Sequence, residues 1–308
     1  MKEEMRPHKF TSISDAFRSF GLPEPKHPLI SLINGGESDA ITPPSGSHIL
    51  TFYKISYKPK QNNKLKYGRD YYDFNEGGLL FASPNQIIGN YDDDENTNAV
   101  DCSLYTLLIH PDFFIGYPLS QEIKKYGFFS YSTNETLHLS QEEKRTIISI
   151  FKMIEIELNG RIDDFSQDVT ISQIALLLNF ANRYYKRQFI TRKAINNDII
   201  QKLEIYLDDY LSGTKPLIEG IPTVQSLGNL VGLTPSYLSD MLRSLIGRNA
   251  QQFIHDKLID KAKELLSTTS LSISEIAYQL GFEYSQSFNR LFKSKTQLSP
   301  LEFRKSFN

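Results

Sequence analysis

The sequence predicts an α+β protein with a β-rich front, a helical middle and an all-α rear, and three observations predict it. Short runs of β-branched and aromatic residues, separated by turn residues, fill the first third of the chain. Near Ser140 the apolar period changes from two to 3.6. From Val224 onward one helix, turn, helix pattern occurs twice. At 308 residues the chain exceeds what one core usually encloses, so more than one domain is expected.

The strand-forming region justifies a sandwich or small barrel. Ser47 to Tyr57 carries Ile49, Phe52, Ile55 and Tyr57, and Lys58-Pro59 ends it. Tyr71 to Phe74, Leu79 to Ala82 and Gln86 to Gly89 follow, divided by Gly77-Gly78 and by Ser83-Pro84-Asn85. Asp101 to His110 closes the set, and Pro111 stops it. The aromatics Phe52, Tyr57, Tyr72, Phe74 and Phe81 allow two readings, the lining of an effector cavity or ordinary core packing.

The helical middle begins with a capping box, Ser140 with Glu143, ahead of Ile147, Ile148, Phe151, Ile154 and Leu158; Gly160 ends that helix. A second starts near Ser166 and runs through Ile171, Ile174, Ala175, Leu178 and Ala181 into Arg183 to Lys193, which holds five basic residues and no acidic one. Those cations either complement a helix carboxyl end or touch a polyanion. The apolar stripes of the two helices pack on the front domain or pair with a second subunit.

Composition narrows the function. One cysteine, Cys102, excludes an intrachain disulfide framework and a multi-cysteine zinc site, and suits a reducing, cytoplasmic setting. No run of about 18 apolar residues is present, so no membrane span is expected, and Met1 to Phe10 lacks the apolar core of a signal peptide. The six histidines are scattered without metal-site spacing, so no metal or other cofactor is expected. The acidic run Asp92 to Glu95 has Thr97 and Ser103 where a calcium loop needs Gly and Glu, and reads as a solvated loop. No catalytic constellation emerges, so the chain is not read as an enzyme. The net charge of −2 conceals an asymmetry: Pro222 to Asn308 holds 10 Lys and Arg against 7 Asp and Glu, whereas the preceding residues hold 24 against 29.

The rear repeat carries the sharpest signal. Val224, Leu227, Gly232 and Leu233 match Ile273, Ile276, Gly281 and Phe282 at an offset of 49; Met241, Leu242, Arg243 and Phe253 match Leu291, Phe292, Lys293 and Phe303 at an offset of 50. Each copy predicts a short helix, a glycine in the left-handed turn conformation, an apolar turn residue and a second helix. Thr234-Pro235 starts the second helix of the first copy, and Ser272 with Glu275 caps the first helix of the second copy. Apolar residues Leu238, Leu242, Leu245 and Ile246 in one second helix, and Phe288, Leu291 and Phe292 in the other, leave Ser236, Ser239, Asp240 and Arg243, and Gln286, Ser287, Asn289, Arg290 and Lys293, facing outward. Such side chains suit base edges and phosphates of double-stranded DNA. The helix expected over Ala250 to Ser267 spans about 27 Å at 1.5 Å per residue. With its flanking turns it approaches the roughly 34 Å between successive major-groove faces.

The rear segment resembles the AraC/XylS family of transcriptional regulators. The resemblance rests on Ala262-Lys263-Glu264-Leu265-Leu266, Ser274-Glu275-Ile276-Ala277, Leu280-Gly281-Phe282, Ser287-Phe288, Arg290, Phe292-Lys293, Ser299-Pro300 and Phe303-Arg304. It covers about 85 residues. Two departures stand out: Gln297 where the family usually has Gly, implying a non-Gly residue at strained dihedrals, and Leu258 where Arg is frequent. The resemblance implies a double helix-turn-helix domain over 196–308 with two helix-turn-helix units joined by a linker helix, a cupin-like β-barrel or sandwich over 1–135, and a helical dimerisation or connector segment over 136–195. It places Ser236, Tyr237, Ser239, Asp240 and Arg243 on the first reading helix, and Tyr284, Ser285, Gln286, Ser287, Asn289, Arg290 and Lys293 on or near the second. Arg243, Gln286 and Asn289 are then expected to read bases, Lys293 and Arg304 to contact phosphates, and Asp240 either to accept from a cytosine amino group or to cap a neighbour. The expected function is ligand-responsive, sequence-specific transcription regulation by a homodimer that binds DNA, a small-molecule effector and the transcription machinery. The competing readings make the front domain only a dimerisation and interaction module, or a cupin-type enzyme or sugar-binding domain.

Overall fold

The computed structural model describes residues 7–36, 48–59, 65–67, 70–72, 78–88, 103–132, 135–161 and 163–306. Phe74, the acidic run at 92–98 and Cys102 lie outside the described residues, as does the side chain of Tyr72. The chain divides into two compact units, one ending at Gln188 and one beginning at Phe189.

The first unit contains strands β1 (His8–Phe10), β2 (Ile30–Asn34), β3 (His48–Leu50), β4 (Tyr53–Lys58), β5 (Leu65–Tyr67), β6 (Asp70–Tyr72), β7 (Gly78–Ala82), β8 (Ile87–Ile88), β9 (Tyr105–Ile109) and β10 (Leu137–His138). Helix α1 (Ile13–Ser19) follows β1, the short α2 (Leu119–Glu122) lies among 3-10 turns after β9, and α3 (Gln141–Asn159) and α4 (Ser166–Thr191) follow β10. The main sheet has the order β10-β7-β4-β9-β2, beside a three-stranded sheet β1-β3-β8 and a hairpin β5-β6. Among the described residues none of these sheets closes on itself, so the expected barrel closure is not formed by them.

The single strand expected over Ser47 to Tyr57 is two strands in different sheets. Phe52 causes the break. Instead of continuing the alternation it turns into a cluster with Phe10, Ile13, Phe17, Ile33, Leu50 and Leu108 and is fully buried, while the Thr51 hydroxyl donates to the Thr11 carbonyl at 3.1 Å. In the main sheet Ile55 sits between Phe81 and Leu107, and Tyr57 between Leu79 and Tyr105, so these apolar side chains share one face. Aromatic contacts cover that face: Phe151 of α3 stacks on Tyr105 at 5.3 Å, and Phe128 and Phe129 pack on Phe81 at 4.5 and 5.3 Å. The opposite face carries Ser56 and Thr106, whose buried hydroxyls hydrogen-bond at 3.1 Å.

Both bonds of the predicted Ser140–Glu143 capping box are present, and α3 ends at Gly160. Helix α4 continues through the basic run to Thr191, with no basic residue in its last turn. Arg187 is drawn inward instead: its Nε and Nη2 donate to Glu143 at 3.1 and 2.6 Å, and Nη2 also donates to the His138 carbonyl at 2.8 Å. No helix among the described residues is long and apolar enough to cross a membrane.

The second unit is helical: α5 (Lys193–Ser212), α6 (Lys215–Glu219), α7 (Val224–Val231), α8 (Pro235–Ile246), α9 (Ala250–Thr268), α10 (Ile273–Gln279), α11 (Ser285–Thr296) and α12 (Pro300–Lys305). The Gly and Pro-rich stretch between α5 and α7 is folded into this unit. Tyr210 donates its hydroxyl to the Gly220 carbonyl at 3.0 Å, and Gly281 packs so closely on Gly220 that a Cβ there would lie 2.6 Å from the Gly220 carbonyl carbon. Burial, then the neighbouring Glu219, raises the Tyr210 pKa.

Candidate nucleic-acid interface

Two helix-turn-helix units are built from local signals. In the first, Thr223 caps α7 through a capping box with Ser226, and Gly232 takes the left-handed conformation at φ 71°. Thr234 then accepts from the Tyr237 amide at 3.3 Å, with Pro235 as the first helical residue of α8. In the second, Ser272 and Glu275 exchange both capping-box bonds ahead of α10, Gly281 turns the chain at φ 86°, and α11 starts after Tyr284. The bonds from Ser272 hold the Glu275 carboxyl below its ordinary pKa, and those from Ser299 do the same for Glu302 at the start of α12.

Helix α9 joins the units. Asn249 and Gln252 cap its start, its 19 residues span about 28 Å at 1.5 Å each, and Phe253, Ile254, Leu258, Ile259, Ala262, Leu265 and Leu266 form its buried side. Leu258, which replaces the family's frequent Arg, is thus a core residue. Leu238, Met241 and Leu242 of α8 and Phe288 and Phe292 of α11 are completely buried, which fixes the outward faces of both helices.

On α11 the outward face is polar and basic. Gln286, Ser287, Asn289, Arg290 and Lys293 are exposed, Ser285 is half-buried and Tyr284 is 60% exposed. Among the described residues, the side chains of Gln286, Asn289 and Arg290 make no hydrogen bond or ion pair, so their donors and acceptors face solvent. On α8 the face differs. Ser236 and Ser239 are half-buried, and Arg243 donates from Nη1 to Asp240 Oδ1 at 2.8 Å, so of the two roles open to Asp240 the structure shows it bound to a neighbour.

Two residues assigned to the interface by resemblance lie elsewhere. Tyr237 is only 5% exposed and meets Phe189, near the end of α4, edge to face at 5.0 Å, so it does not share the outward face of α8. Arg304 is turned inward: Nε donates to the Leu266 carbonyl at 3.3 Å, in the last turns of α9, and Nη2 is buried. In the first unit, Phe52, Tyr57 and Phe81 are buried, in the cluster around Phe10 or on the aromatic-covered sheet face. Among the described residues no three His, Cys, Asp or Glu side chains converge as metal ligands.

A family model described as a helix-turn-helix domain matches residues 227–306. The arabinose operon regulatory protein of Salmonella typhimurium is 38% identical over 81 residues, which cover 26% of this chain and 29% of that protein. The HTH-type transcriptional regulator YfiF of Bacillus subtilis is 22% identical over 271 residues, covering 83% of this chain and 78% of that protein. Among solved structures, the C-terminal domain of the two-component response regulator yesN from Fusobacterium nucleatum matches at 29% identity and a TM-score of 0.31, over 35% of this chain and 98% of that one. The chain thus spans less than a third of the length of the arabinose regulators it matches. Residues 227–306 therefore form a helix-turn-helix domain similar to that of the arabinose operon regulatory proteins.

Proposed function

We propose that the chain is a sequence-specific regulator of transcription that binds double-stranded DNA through α8 and α11. The observation that carries this reading is the pair of outward polar faces on equivalent helices held by one linker helix, a spacing suited to successive major-groove segments. Gln286 and Asn289 offer a donor and an acceptor, Arg290 offers paired donors, and Lys293 supplies a cation for phosphate. Gel-shift binding to genomic fragments tests it: Arg290→Ala and Gln286→Ala should each weaken the specific complex by about 1–3 kcal/mol. Retention of the wild-type footprint by both variants would remove α11 from the interface.

Homodimerisation is part of this reading. Met153 and Ile156 of α3 and Phe165, Val169 and Leu176 at the start of and along α4 are exposed apolar side chains, the last three at helical spacing. A cytoplasmic setting and contact with the transcription machinery follow from the same regulatory role. Control by a small effector in a cupin-like front domain extends the resemblance. Phe52, Tyr57 and Phe81 are buried, so that extension rests on the sheet face with Ser56 and Thr106, whose polar groups suit an oxygen-rich ligand. A thermal-shift screen with sugars and organic acids tests it, and a uniformly flat response would favour a front domain that only pairs subunits.

A further inference from the structure

Both reading helices pack against α9, and one carboxylate on α9 reaches toward each of their units. Asp256 Oδ2 accepts from Arg248 Nη1 at 2.6 Å, in the turn that follows α8. Its other oxygen, Oδ1, accepts from Lys295 Nζ at 2.8 Å, in the last turn of α11. The Asp256 side chain is 23% exposed and that of Lys295 31%, so water screens their bond less than it would screen a fully exposed pair, while Arg248, 59% exposed, completes the clasp from the surface. Burial, then the charge of Lys295, lowers the pKa of His255 beside it against the opposing pull of Asp256, and the carboxylate is the group on which both cations converge.

We propose that Asp256 is a positioning residue that fixes the spacing and rotation of α11 relative to α8, and so sets which separation of DNA half-sites the chain accepts. Its two oxygens serve two units, so removing its charge releases both attachments while the apolar seam of α9 stays intact. The clasp also withholds Lys295 from the DNA backbone, although Lys295 lies on the same helix as the reading face. This inference rests on the proposed DNA-binding function for its consequence but not for its geometry, and the two are tested separately.

The geometric test uses the full chain with Cys102→Ser, Ser244→Cys and Ser294→Cys, spin-labelled on α8 and α11, and measures the inter-label distance distribution by pulsed electron resonance. Asp256→Asn should broaden or shift the distribution, and Asp256→Glu should restore the wild-type profile because a longer carboxylate still reaches both cations. An unchanged distribution in Asp256→Asn would overturn the proposal whether or not the chain binds DNA. The functional test takes a fragment footprinted by wild type and adds or removes one base pair between the two contacted segments. Wild type should lose about tenfold or more in affinity, the scale of one lost base contact, whereas Asp256→Asn and Lys295→Gln should both lose markedly less. The double variant should be no more tolerant than either alone, since the two act on one linkage. A spacing preference in Asp256→Asn equal to that of wild type would also overturn the assignment. A wild type that footprints no fragment refutes the DNA reading alone, leaving the distance measurement to decide on the clasp.

Discussion

Arg243 is tied to Asp240 at 2.8 Å on α8, whereas Arg290, on the equivalent helix α11, faces solvent with no acidic residue on its helix. The two reading helices are therefore electrostatically unequal, despite being copies of one pattern. α8 carries one Asp and one Arg that neutralise each other; α11 carries Arg290, Lys293 and Lys295, of which Lys295 is held by Asp256. On the proposed DNA-binding reading, polyanion attraction is expected to be stronger at α11 than at α8.

A salt titration should expose this inequality. Arg290→Ala should weaken binding more than Arg243→Ala, because only the first removes a cation that is not already paired. Asp240→Ala should free Arg243, tighten non-specific binding and steepen the dependence of log K on log salt by about one unit. The check is fluorescence anisotropy on a random duplex at several salt concentrations. A greater loss from Arg243→Ala than from Arg290→Ala would show that the ion pair opens on DNA and that α8 is the dominant helix.

Gln297 ends α11 at φ 64°, a left-handed conformation that costs a residue with a Cβ about 1–2 kcal/mol. Its amide donates to the Lys293 carbonyl at 2.9 Å, so the helix stop itself is well formed. Gln297→Gly should raise stability by about 0.5–1 kcal/mol, the relief being partly offset by the greater freedom of glycine in the unfolded chain. Urea denaturation of the two proteins checks this; a loss of stability would mean that the Gln297 side chain contributes more than its backbone strain costs.

Gly232 and Gly281 occupy equivalent turns but differ in surroundings. A Cβ on Gly232 would meet nothing within 4 Å, whereas one on Gly281 would meet the Gly220 backbone at 2.6 to 2.9 Å. Gly232→Ala should therefore cost only left-handed strain, about 1 kcal/mol. Gly281→Ala should cost more, about 2–4 kcal/mol, since backbone must also move to admit it. Equal losses in thermal unfolding would show that the stretch at Gly220 yields without cost.

His255 gives the rear unit a pH dependence of definite sign. Burial, then Lys295, lowers its pKa below 6.5, while Asp256 opposes the shift. The unfolded chain takes up the proton first, so stability is full above the unfolded value near 6.5 and declines as pH falls below it. His255→Gln should flatten the stability profile between about pH 7 and 5. Asp256→Asn should steepen the profile by removing the one charge that favours the protonated ring. Parallel urea titrations at the two pH values measure both effects.

How far the sequence disclosed this structure depended on the distance over which each feature is determined. Gly232, Thr234, Pro235, Ser272 and Glu275 act within one or two turns, so the two helix-turn-helix units and their caps were legible from the residues alone. Gln297 was legible too, as a residue forced into a glycine position. Tyr237 was not, because its burial depends on Phe189, far back along the chain. The break at Phe52 depends on β1 and α1, whose short runs carry little period of their own. Asp256 gave no local signal, since its partners lie 8 and 39 residues away and only the fold brings them together.

Arg304 shows how such a distant partner changes an assignment. Position in the motif makes it a phosphate contact, yet its guanidinium caps the carboxyl-terminal end of α9 by donating to the Leu266 carbonyl, and Nη2 lies buried beneath the surface. A cation there complements the α9 dipole and ties α12 to the linker helix. Arg304→Ala should consequently lower stability by about 1–3 kcal/mol, the cost of losing a charge-assisted bond. Its effect on the salt slope of DNA binding should be small. Lys293→Ala should do the opposite, leaving stability nearly unchanged while reducing the slope by about one unit. The discriminating measurement is the slope rather than the affinity, because a destabilised domain binds less at every salt concentration, whereas a lost phosphate contact changes how binding responds to salt. A reduced slope with unchanged unfolding in Arg304→Ala would mean that the side chain swings out to the DNA backbone on binding.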